Sequence, residues 1–167
     1  MPRSDRSPKV VLMCGISGSG KTHHALRLES EGYVRVSVDA IVWRRHGPDF
    51  AALPSDELKR IFREGMAEAR EETARLIDEG RDVVVDATMC KRAARDMMRR
   101  VCREHGVEPS VVCLRAPKEL LWRRLSGRKG CDPDNLVVSR EQLDLYCAGF
   151  EMPQPDEGDV TYMEIDD

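Results

Sequence analysis

The sequence lacks the segments that carry a protein into or across a membrane. No apolar run approaches the roughly 20 residues that a helix needs to span a bilayer. Residues 1–9 are polar and contain no apolar h-region, so no secretory signal is expected. We therefore expect a protein with no membrane partner.

The cysteines lack the spacing of a disulfide framework or a metal site. Six cysteines are scattered along the chain without a C-x-x-C motif. Cys14 and Cys113 lie in apolar runs, where cysteine packs as a small hydrophobic residue. Cys102 and His105 have no second pair at zinc-binding spacing. Scattered thiols favour a reducing compartment, so we expect a cytoplasmic protein.

A strong net charge and internal repeats are also missing. The formal net charge is -3 and the pI is near 5.9, so the chain as a whole lacks the basic charge typical of nucleic-acid binding, and a local basic patch stays open. The 167 residues, 41% hydrophobic and 34% charged, suit one globular domain. We expect a disordered leader over residues 1–8 and a single domain over residues 9–167.

One complete motif stands out near the N-terminus. Gly15-Ile16-Ser17-Gly18-Ser19-Gly20-Lys21-Thr22 fits G-x-x-x-x-G-K-[ST] without a mismatch, between an apolar strand-like run and a helical segment. Glycines let such a loop direct backbone N–H groups inward, and the helix N-terminus adds partial positive charge. The motif predicts a loop that binds nucleotide phosphates beside a magnesium ion. A glycine-rich turn before an ordinary helix is the alternative.

Within this motif, each polar residue has an expected role. Lys21 is expected to contact the β- and γ-phosphates, and the Thr22 hydroxyl to bind Mg²⁺. His23 occupies a position where a second Ser or Thr is common, so its backbone N–H is expected to serve instead. The predicted nucleotide-binding residues are Gly15, Ser17, Gly18, Ser19, Gly20, Lys21, Thr22 and His23.

The rest of the chain alternates strand-like and helical segments. Strands are predicted at 9–14, 33–38, 82–86, 110–115 and 159–165. Helices are predicted at 22–29, 55–79, 91–105, from 116–118 onward, and 139–150, where Ser139 begins a capping box. This alternation predicts an α/β fold with a parallel sheet between helices.

Two aspartates lie at strand ends, where open α/β sheets bind ligands. Asp39 follows the second strand, and we assign it as the base that orients and deprotonates an acceptor hydroxyl. Asp86 ends the third strand and resembles a Walker B acid that holds a magnesium-bound water. Alternatively, Asp86 bonds Ser37 or Thr22 or fixes an arginine. Each acid also has a purely structural interpretation as a helix cap.

A cluster of cations occupies the end of a helix and the following loop, at Arg123, Arg124, Arg128 and Lys129. Because arginine stabilises charge on a transferred phosphoryl group, we predict a mobile lid over about residues 118–138. Arg123 or Arg128 is the expected phosphate-contacting residue, and a solvated basic face is the alternative. In the basic helix over 91–105, Arg95 is a candidate for the acceptor site.

In this order the motifs resemble one group of small P-loop kinases. The group contains polynucleotide 5′-kinases, zeta-toxin-like kinases and chloramphenicol phosphotransferase-like enzymes. The resemblance extends from about Val10 to Ile165. It is carried by the phosphate loop, Ser37-Val38-Asp39, Val85-Asp86-Ala87-Thr88 followed by Arg95, Leu121-Trp122-Arg123-Arg124-Leu125 and the closing Gly149-Phe150-Glu151-Met152-Pro153.

The resemblance implies a P-loop kinase-like three-layer sandwich with a five-stranded parallel sheet and a helical lid. It also implies ATP with Mg²⁺ and a hydroxyl-bearing acceptor, with Asp39, Asp86 and Arg123 or Arg128 in the roles given above. One position departs from the group. Polynucleotide kinases carry D-x-x-R after the second strand, and the fourth position here is Val42. A small-molecule acceptor is therefore favoured over nucleic acid.

Two other functions stay open at this point. A 5′-hydroxyl polynucleotide kinase would need a basic channel leading to Asp39. A nucleotide-binding switch or NTPase would need no acceptor, but the N-K-x-D motif of G-protein switches is absent, which favours ATP and transfer. The acceptor pocket is expected among residues 39–62 and 88–100, where Trp43 and Phe50 either line it or belong to the core.

Overall fold

The computed structural model describes residues 6–166, so most of the predicted leader lies outside the described residues. Within the leader, Arg6 forms an ion pair with Asp82 at 2.6 Å. The backbone N–H of Lys9 donates to the same carboxylate at 2.8 Å. Asp82 therefore ties the start of the first strand to the start of the third.

Five parallel strands form the central sheet. The strands are β1 Val10–Cys14, β2 Val34–Ser37, β3 Val83–Asp86, β4 Ser110–Arg115 and β5 Val160–Glu164. They lie in the order β2-β3-β1-β4-β5, and every neighbouring pair is parallel. The predicted α/β class and five-stranded parallel sheet are confirmed. The phosphate loop, which follows β1, therefore lies at the same edge of the sheet as the carboxyl ends of β2 and β3.

Six α-helices are present within residues 6–166. They are α1 Lys21–Ser30, α2 Val38–His46, α3 Ser55–Asp78, α4 Arg92–Glu104, α5 Lys118–Leu125 and α6 Arg140–Ala148. Short 3-10 segments span Pro48–Ala52 and Pro155–Glu157. The capping box predicted at Ser139 is confirmed, since Ser139 and Gln142 exchange side-chain and backbone hydrogen bonds of 3.1 and 2.9 Å.

Apolar clusters cover both faces of the sheet and give the fold three layers. Side chains alternate along β1, so that Leu12 faces one cluster and Met13 the other. Ile61 of α3 and Met98 of α4 join the Leu12 cluster, and Ala25 of α1 joins the Met13 cluster. No helix within the described range is both long and apolar enough to cross a bilayer.

A buried ion network occupies the position where an acceptor contact was expected. Arg95 is fully buried and donates to Glu157 through Nε at 2.7 Å, as does Arg99 through Nη2 at 2.7 Å. Burial alone would raise the pKa of Glu157, but these hydrogen bonds, with one from the Gln154 N–H, hold that pKa at about 2. Arg95 is therefore a structural residue, and its prediction as an acceptor contact is wrong.

Candidate active site

The loop between β1 and α1 follows a course that requires glycine. Gly18 and Gly20 have φ angles of 88° and 100°, in the region that side chains disfavour. A Cβ at Gly18 would lie 3.1 Å from Leu125 Cγ and 3.2 Å from the Leu121 carbonyl oxygen. The phosphate loop and α5 are therefore in close contact.

Ser19 and Lys21 are buried within this loop. Ser19 Oγ has no hydrogen-bond partner among residues 6–166, so the loop holds an unsatisfied polar group that suits a phosphate ligand. Lys21 Nζ donates to the Ile16 carbonyl oxygen at 3.3 Å. Burial lowers the pKa of Lys21, and the nearby carboxylates of Asp86 and Asp39 oppose that shift. An anion beside Lys21 would thus interact with an ammonium group that has little contact with water.

Asp86 connects three elements at the end of β3. Its Oδ2 accepts from Thr22 Oγ1 at 3.0 Å, and from Arg35 Nη2 and Nε at 2.7 and 3.0 Å. Two of the alternatives left open for Asp86, a bond to Thr22 and an arginine partner, therefore occur together. The Oγ of Ser37 instead caps α2 by accepting from the Ala40 N–H at 3.1 Å.

The oxygens of Thr22 and Asp86 fit a magnesium ion. Mg²⁺ prefers hard oxygen ligands and binds proteins through one or two such groups, with phosphates and waters completing its shell. Thr22 lies in the first turn of α1, beside the buried Lys21, and is hydrogen-bonded to Asp86. These two residues would hold the ion next to the phosphates.

Asp39 lies in the first turn of α2 and lines the same cavity as Lys21. Because Ser37 is the residue that caps α2, the alternative that Asp39 is a helix cap does not hold. Burial raises the pKa of Asp39 to about 6, although Lys21 and Arg128 pull it down. The pKa of Asp39 is thus close to the value at which a carboxylate is an effective base near neutral pH.

Two arginines of the predicted lid reach the site. Arg128 lines the cavity, and burial lowers its pKa against the attraction of Asp39, Asp132 and Asp134. Arg124 also lines the cavity and donates from Nη1 to the Gly18 carbonyl oxygen at 3.1 Å. Arg123 is exposed and does not line the cavity, so the structure brings Arg128 but not Arg123 to the predicted site.

The cavity has a volume of about 220 Å³, and its lining includes both cationic and anionic side chains. It is lined by Ser17, Gly18, Gly20, Lys21, Thr22, His23, Asp39, Asp86, Ala87, Thr88, Arg124, Arg128 and Asp134. Of the predicted site residues, Gly15, Ser19 and Arg123 are not in this lining.

The aromatic side chains considered for the acceptor pocket belong to the core. Phe50 is buried, and its ring centroid lies 5.7 Å from that of Phe62 in an edge-on arrangement. Trp43 is partly buried and packs against the same apolar cluster. Sequence reasoning missed Arg35 and Asp134, and it named Arg124 in the cation cluster without choosing it as a site residue. For Arg35 a signal was present, because a charged residue inside a β-branched strand needs a charged partner when buried.

These features define an α/β protein with a P-loop kinase-like fold. Residues 10–153 match the AAA_33 family, which is described as an AAA domain. The chain belongs to this family. A search of curated proteins gave no match.

Solved structures share the fold at low sequence identity. A gluconokinase from Sinorhizobium meliloti is 22% identical with a TM-score of 0.70, over 95% of this chain and 83% of that chain. The APS kinase CysC from Mycobacterium tuberculosis is 22% identical with a TM-score of 0.62, over 96% and 90%. A chain of the Pnkp1/Rnl/Hen1 RNA repair complex is 20% identical with a TM-score of 0.66, over 87% and 45%.

Proposed function

We propose that this protein is an ATP-dependent phosphotransferase that moves the γ-phosphate to a hydroxyl group of a small molecule. The observation that carries the proposal is the shared cavity, in which the Asp39 carboxylate accompanies Lys21 and Arg128. A carboxylate so placed can accept the proton of an acceptor hydroxyl, which a protein that only binds nucleotide does not require. The fold similarity to a gluconokinase and an APS kinase supports the same interpretation.

In this proposal each residue has one task. Asp39 orients the acceptor hydroxyl and takes its proton as the new oxygen–phosphorus bond forms and the bond to the leaving ADP breaks. Lys21 and Arg128 neutralise negative charge on the phosphates. Thr22 and Asp86 would hold Mg²⁺, which when bound stabilises charge on the transferred group.

We also propose a cytoplasmic location for the protein, because all six thiols are unpaired.

The surroundings of Val42 support a small acceptor rather than a nucleic acid. Val42 is fully buried, and a Cβ added at Gly65 of α3 would lie 2.9 Å from its Cγ2. The D-x-x-R position of polynucleotide kinases is thus part of the α2–α3 contact. The nearby Arg44 and Arg45 both pair with Glu68 on the surface, with Arg45 Nε 2.8 Å from the carboxylate.

The test is transfer of label from γ-labelled ATP to a pool of acceptors. The pool contains sugars and sugar acids, nucleosides, hydroxylated antibiotics, and 5′-hydroxyl RNA and DNA oligonucleotides. We expect label on a small molecule, reduced by about 10²–10⁴-fold in Asp39→Asn. The control is Asp56→Asn, which changes an exposed aspartate in the first turn of α3.

The outcomes separate the candidate functions. Label on oligonucleotides alone would replace the small acceptor by a nucleic acid. Free phosphate alone, released at equal rates by wild type and Asp39→Asn, would contradict transfer and favour a nucleotide-hydrolysing switch.

A further inference from the structure

One guanidinium group joins the two sides of the candidate site. The Arg35 side chain is only 12% exposed. Its Nη2 lies 2.7 Å from Asp86 Oδ2 and 2.6 Å from Asp134 Oδ1. Its Nε donates to Asp86 at 3.0 Å, and its Nη1 donates to Asp134 at 3.3 Å. Arg35 therefore binds each carboxylate through two nitrogen atoms.

The two carboxylates belong to different parts of the fold. Asp86 ends β3 and is bonded to Thr22, at the place proposed for the metal. Asp134 lies in the loop between α5 and α6, which also carries Arg128. We call residues 126–139 the lid loop. Arg35 thus connects the lid loop to the acid beside the phosphate loop.

The lid loop is ordered locally around its contact with Arg35. The Asp134 N–H donates to Asp132 Oδ1 at 2.8 Å, and the Gly130 N–H donates to the Asn135 carbonyl oxygen at 2.9 Å. These bonds present the Asp134 carboxylate as part of a compact turn. A contact at Asp134 therefore constrains the whole turn and, through it, the segment that carries Arg128.

The chemistry of the bridge requires arginine. A guanidinium is planar and has five N–H donors in a fixed fork, so it can serve two carboxylates at once, whereas an ammonium group has no such geometry. All three hydrogen bonds to the Asp86 side chain go to Oδ2. Arg35 and Thr22 therefore fix the rotation of the Asp86 carboxylate, with Oδ1 not used by either.

We propose that Arg35 is a positioning residue that couples the lid loop to the Asp86 carboxylate. The proposal rests on the proposed function and adds to it a residue and a role. Arg35 orients Asp86 for the metal and, through Asp134, holds Arg128 over the phosphates. Loss of Arg35 would affect both the metal and the lid, while loss of the Asp134 charge would affect the lid alone.

Two measurements test the two halves of the coupling. The first is hydrogen exchange of the backbone amides of residues 128–136 in the nucleotide-free protein. The second is ADP binding by calorimetry over a series of Mg²⁺ concentrations, which gives the Mg²⁺ concentration for half-maximal binding. The variants are Arg35→Gln, Arg35→Lys, Asp134→Asn and the double variant Arg35→Gln/Asp134→Asn. Arg103→Gln is the control, because Arg103 pairs with Glu108 on the surface at 2.8 Å.

The expected pattern is specific to a bridging residue. Asp134→Asn raises exchange in residues 128–136 about tenfold or more and leaves the Mg²⁺ midpoint near that of the wild type. Arg35→Gln raises exchange equally and also raises the Mg²⁺ midpoint by about 10–100-fold. Arg35→Lys fully restores neither the wild-type exchange rate nor the wild-type Mg²⁺ midpoint. The double variant exchanges no faster than Arg35→Gln.

Other outcomes overturn the proposal. If Arg35→Gln matches Arg103→Gln in both measurements, Arg35 positions neither group. If Arg35→Gln raises exchange throughout the protein without moving the Mg²⁺ midpoint, its role is merely structural. A wild-type protein that binds no ADP at any Mg²⁺ concentration would overturn the proposed function. The contact between Arg35 and the lid loop would still be tested, because hydrogen exchange is measured without nucleotide.

Discussion

At the scale of single residues, the candidate site holds ionisable groups whose surroundings oppose their charges. Burial lowers the pKa of Lys21 and raises the pKa of Asp39 to about 6. The attraction between Lys21 and Asp39 offsets the effect of burial on both pKa values only in part. Such arrangements are typical of functional sites, where stability is lower than neutral side chains would allow.

Asp39→Asn is expected to stabilise the protein at pH 8 while it slows transfer. The pKa of Asp39 in the folded state, about 6, lies above its ordinary value of 3.8. Its contribution to stability is therefore fully present below its unfolded pKa and is lost as the pH rises through about 6. The Asn variant should gain roughly 1–3 kcal/mol in free energy of unfolding at pH 8, and the gain should vanish near pH 4. Urea unfolding at a series of pH values measures this.

The same series with Asp56→Asn is the control. Asp56 is exposed in the first turn of α3, so its replacement should cost at most about 1 kcal/mol, without a change centred near pH 6. A loss of stability at pH 8 in Asp39→Asn would mean that Lys21 and Arg128 stabilise the Asp39 carboxylate more than burial penalises it.

The side chains that line the site were harder to predict than the motifs that indicate where the site lies. The sequence indicated Lys21, Thr22, Asp39 and Asp86 because each follows a recognisable strand end or loop. Arg124 was named in the cation cluster, but Arg123 or Arg128 was chosen as the phosphate-contacting residue. Helical spacing favours Arg124, since it lies four residues after Leu120 and three after Leu121, both of which are buried, whereas Arg123 has that spacing only from Leu120.

Arg35 and Asp134 illustrate a limit of another kind. Arg35 lies on β2 and Asp134 in a loop 99 residues later, and no sequence pattern relates the two positions. Their contact depends on where the α5–α6 connection returns over the sheet. Such a position is set by tertiary packing rather than by local periodicity.

At the scale of elements, α5 packs directly on the phosphate loop. Leu121 and Leu125 are buried with Leu143 of α6, in a cluster that also receives Ile16 of the loop. The loop conformation and the placement of α5 therefore depend on each other. Because a Cβ at Gly18 would meet Leu125 and the Leu121 carbonyl oxygen, Gly18 is the residue that tests this dependence.

Gly18→Ala is expected to weaken nucleotide binding more than backbone strain alone would explain. An alanine at Gly18 would keep an unfavourable φ of 88° and place its Cβ 3.1 Å from Leu125 Cγ. The control Gly80→Ala has a φ of 76° with nothing within 4 Å of the new Cβ. Both should lose about 1–2 kcal/mol of stability from strain, and Gly18→Ala about 1–3 kcal/mol more from overpacking.

Chemical denaturation and ADP titration of the two variants provide the measurement. Gly80→Ala should bind ADP as the wild type does, whereas Gly18→Ala should bind at least about tenfold more weakly, the equivalent of 1.4 kcal/mol. Equal binding by both variants would show that α5 yields without disturbing the loop.

Most elements were predicted to within one or two residues because periodicity and caps mark them. β4 matches the predicted bounds, and α6 begins directly after the predicted cap at Ser139. The helix α2 was not predicted as an element. It starts at Val38, directly after β2 ends at Ser37, so no linking residues separate them. Because valines alternate over residues 34–38, the predicted strand was one residue too long. The helix that Asp39 would cap was considered only as the structural alternative to a catalytic role.

At the scale of the whole molecule, the C-terminal segment supports the site from a distance. Arg95, bound to Glu157, also donates to the Met89 carbonyl oxygen at 2.8 Å. Met89 has a φ of 42°, an unusual value for a residue other than glycine. The adjacent Thr88 carbonyl oxygen accepts the Gly15 N–H at 3.1 Å. A chain of contacts thus runs from Glu157 to the start of the phosphate loop.

Ligand binding should raise the stability of the entire fold, and Lys21 should control that effect. With Mg²⁺ and ATP at about 100 times the dissociation constant, the expected gain is about 2.7 kcal/mol. For a chain of this length, that gain corresponds to a rise in Tm of about 5–10 °C. In Lys21→Met the rise should be absent, because the phosphates lose their buried cation.

The ligand-free protein responds in the opposite sense to the same substitution. Because the pKa of Lys21 is lowered in the folded state, the charged side chain is less favourable there than in the unfolded chain at neutral pH. Lys21→Met should therefore be at least as stable as the wild type without nucleotide, while Lys59→Met, at an exposed lysine of α3, keeps the full ligand response. Thermal unfolding with and without Mg²⁺ and ATP measures both effects. A Lys21→Met variant that retained the wild-type rise would bind phosphates elsewhere, whereas one that lost stability in both conditions would show that Lys21 supports the fold rather than the ligand.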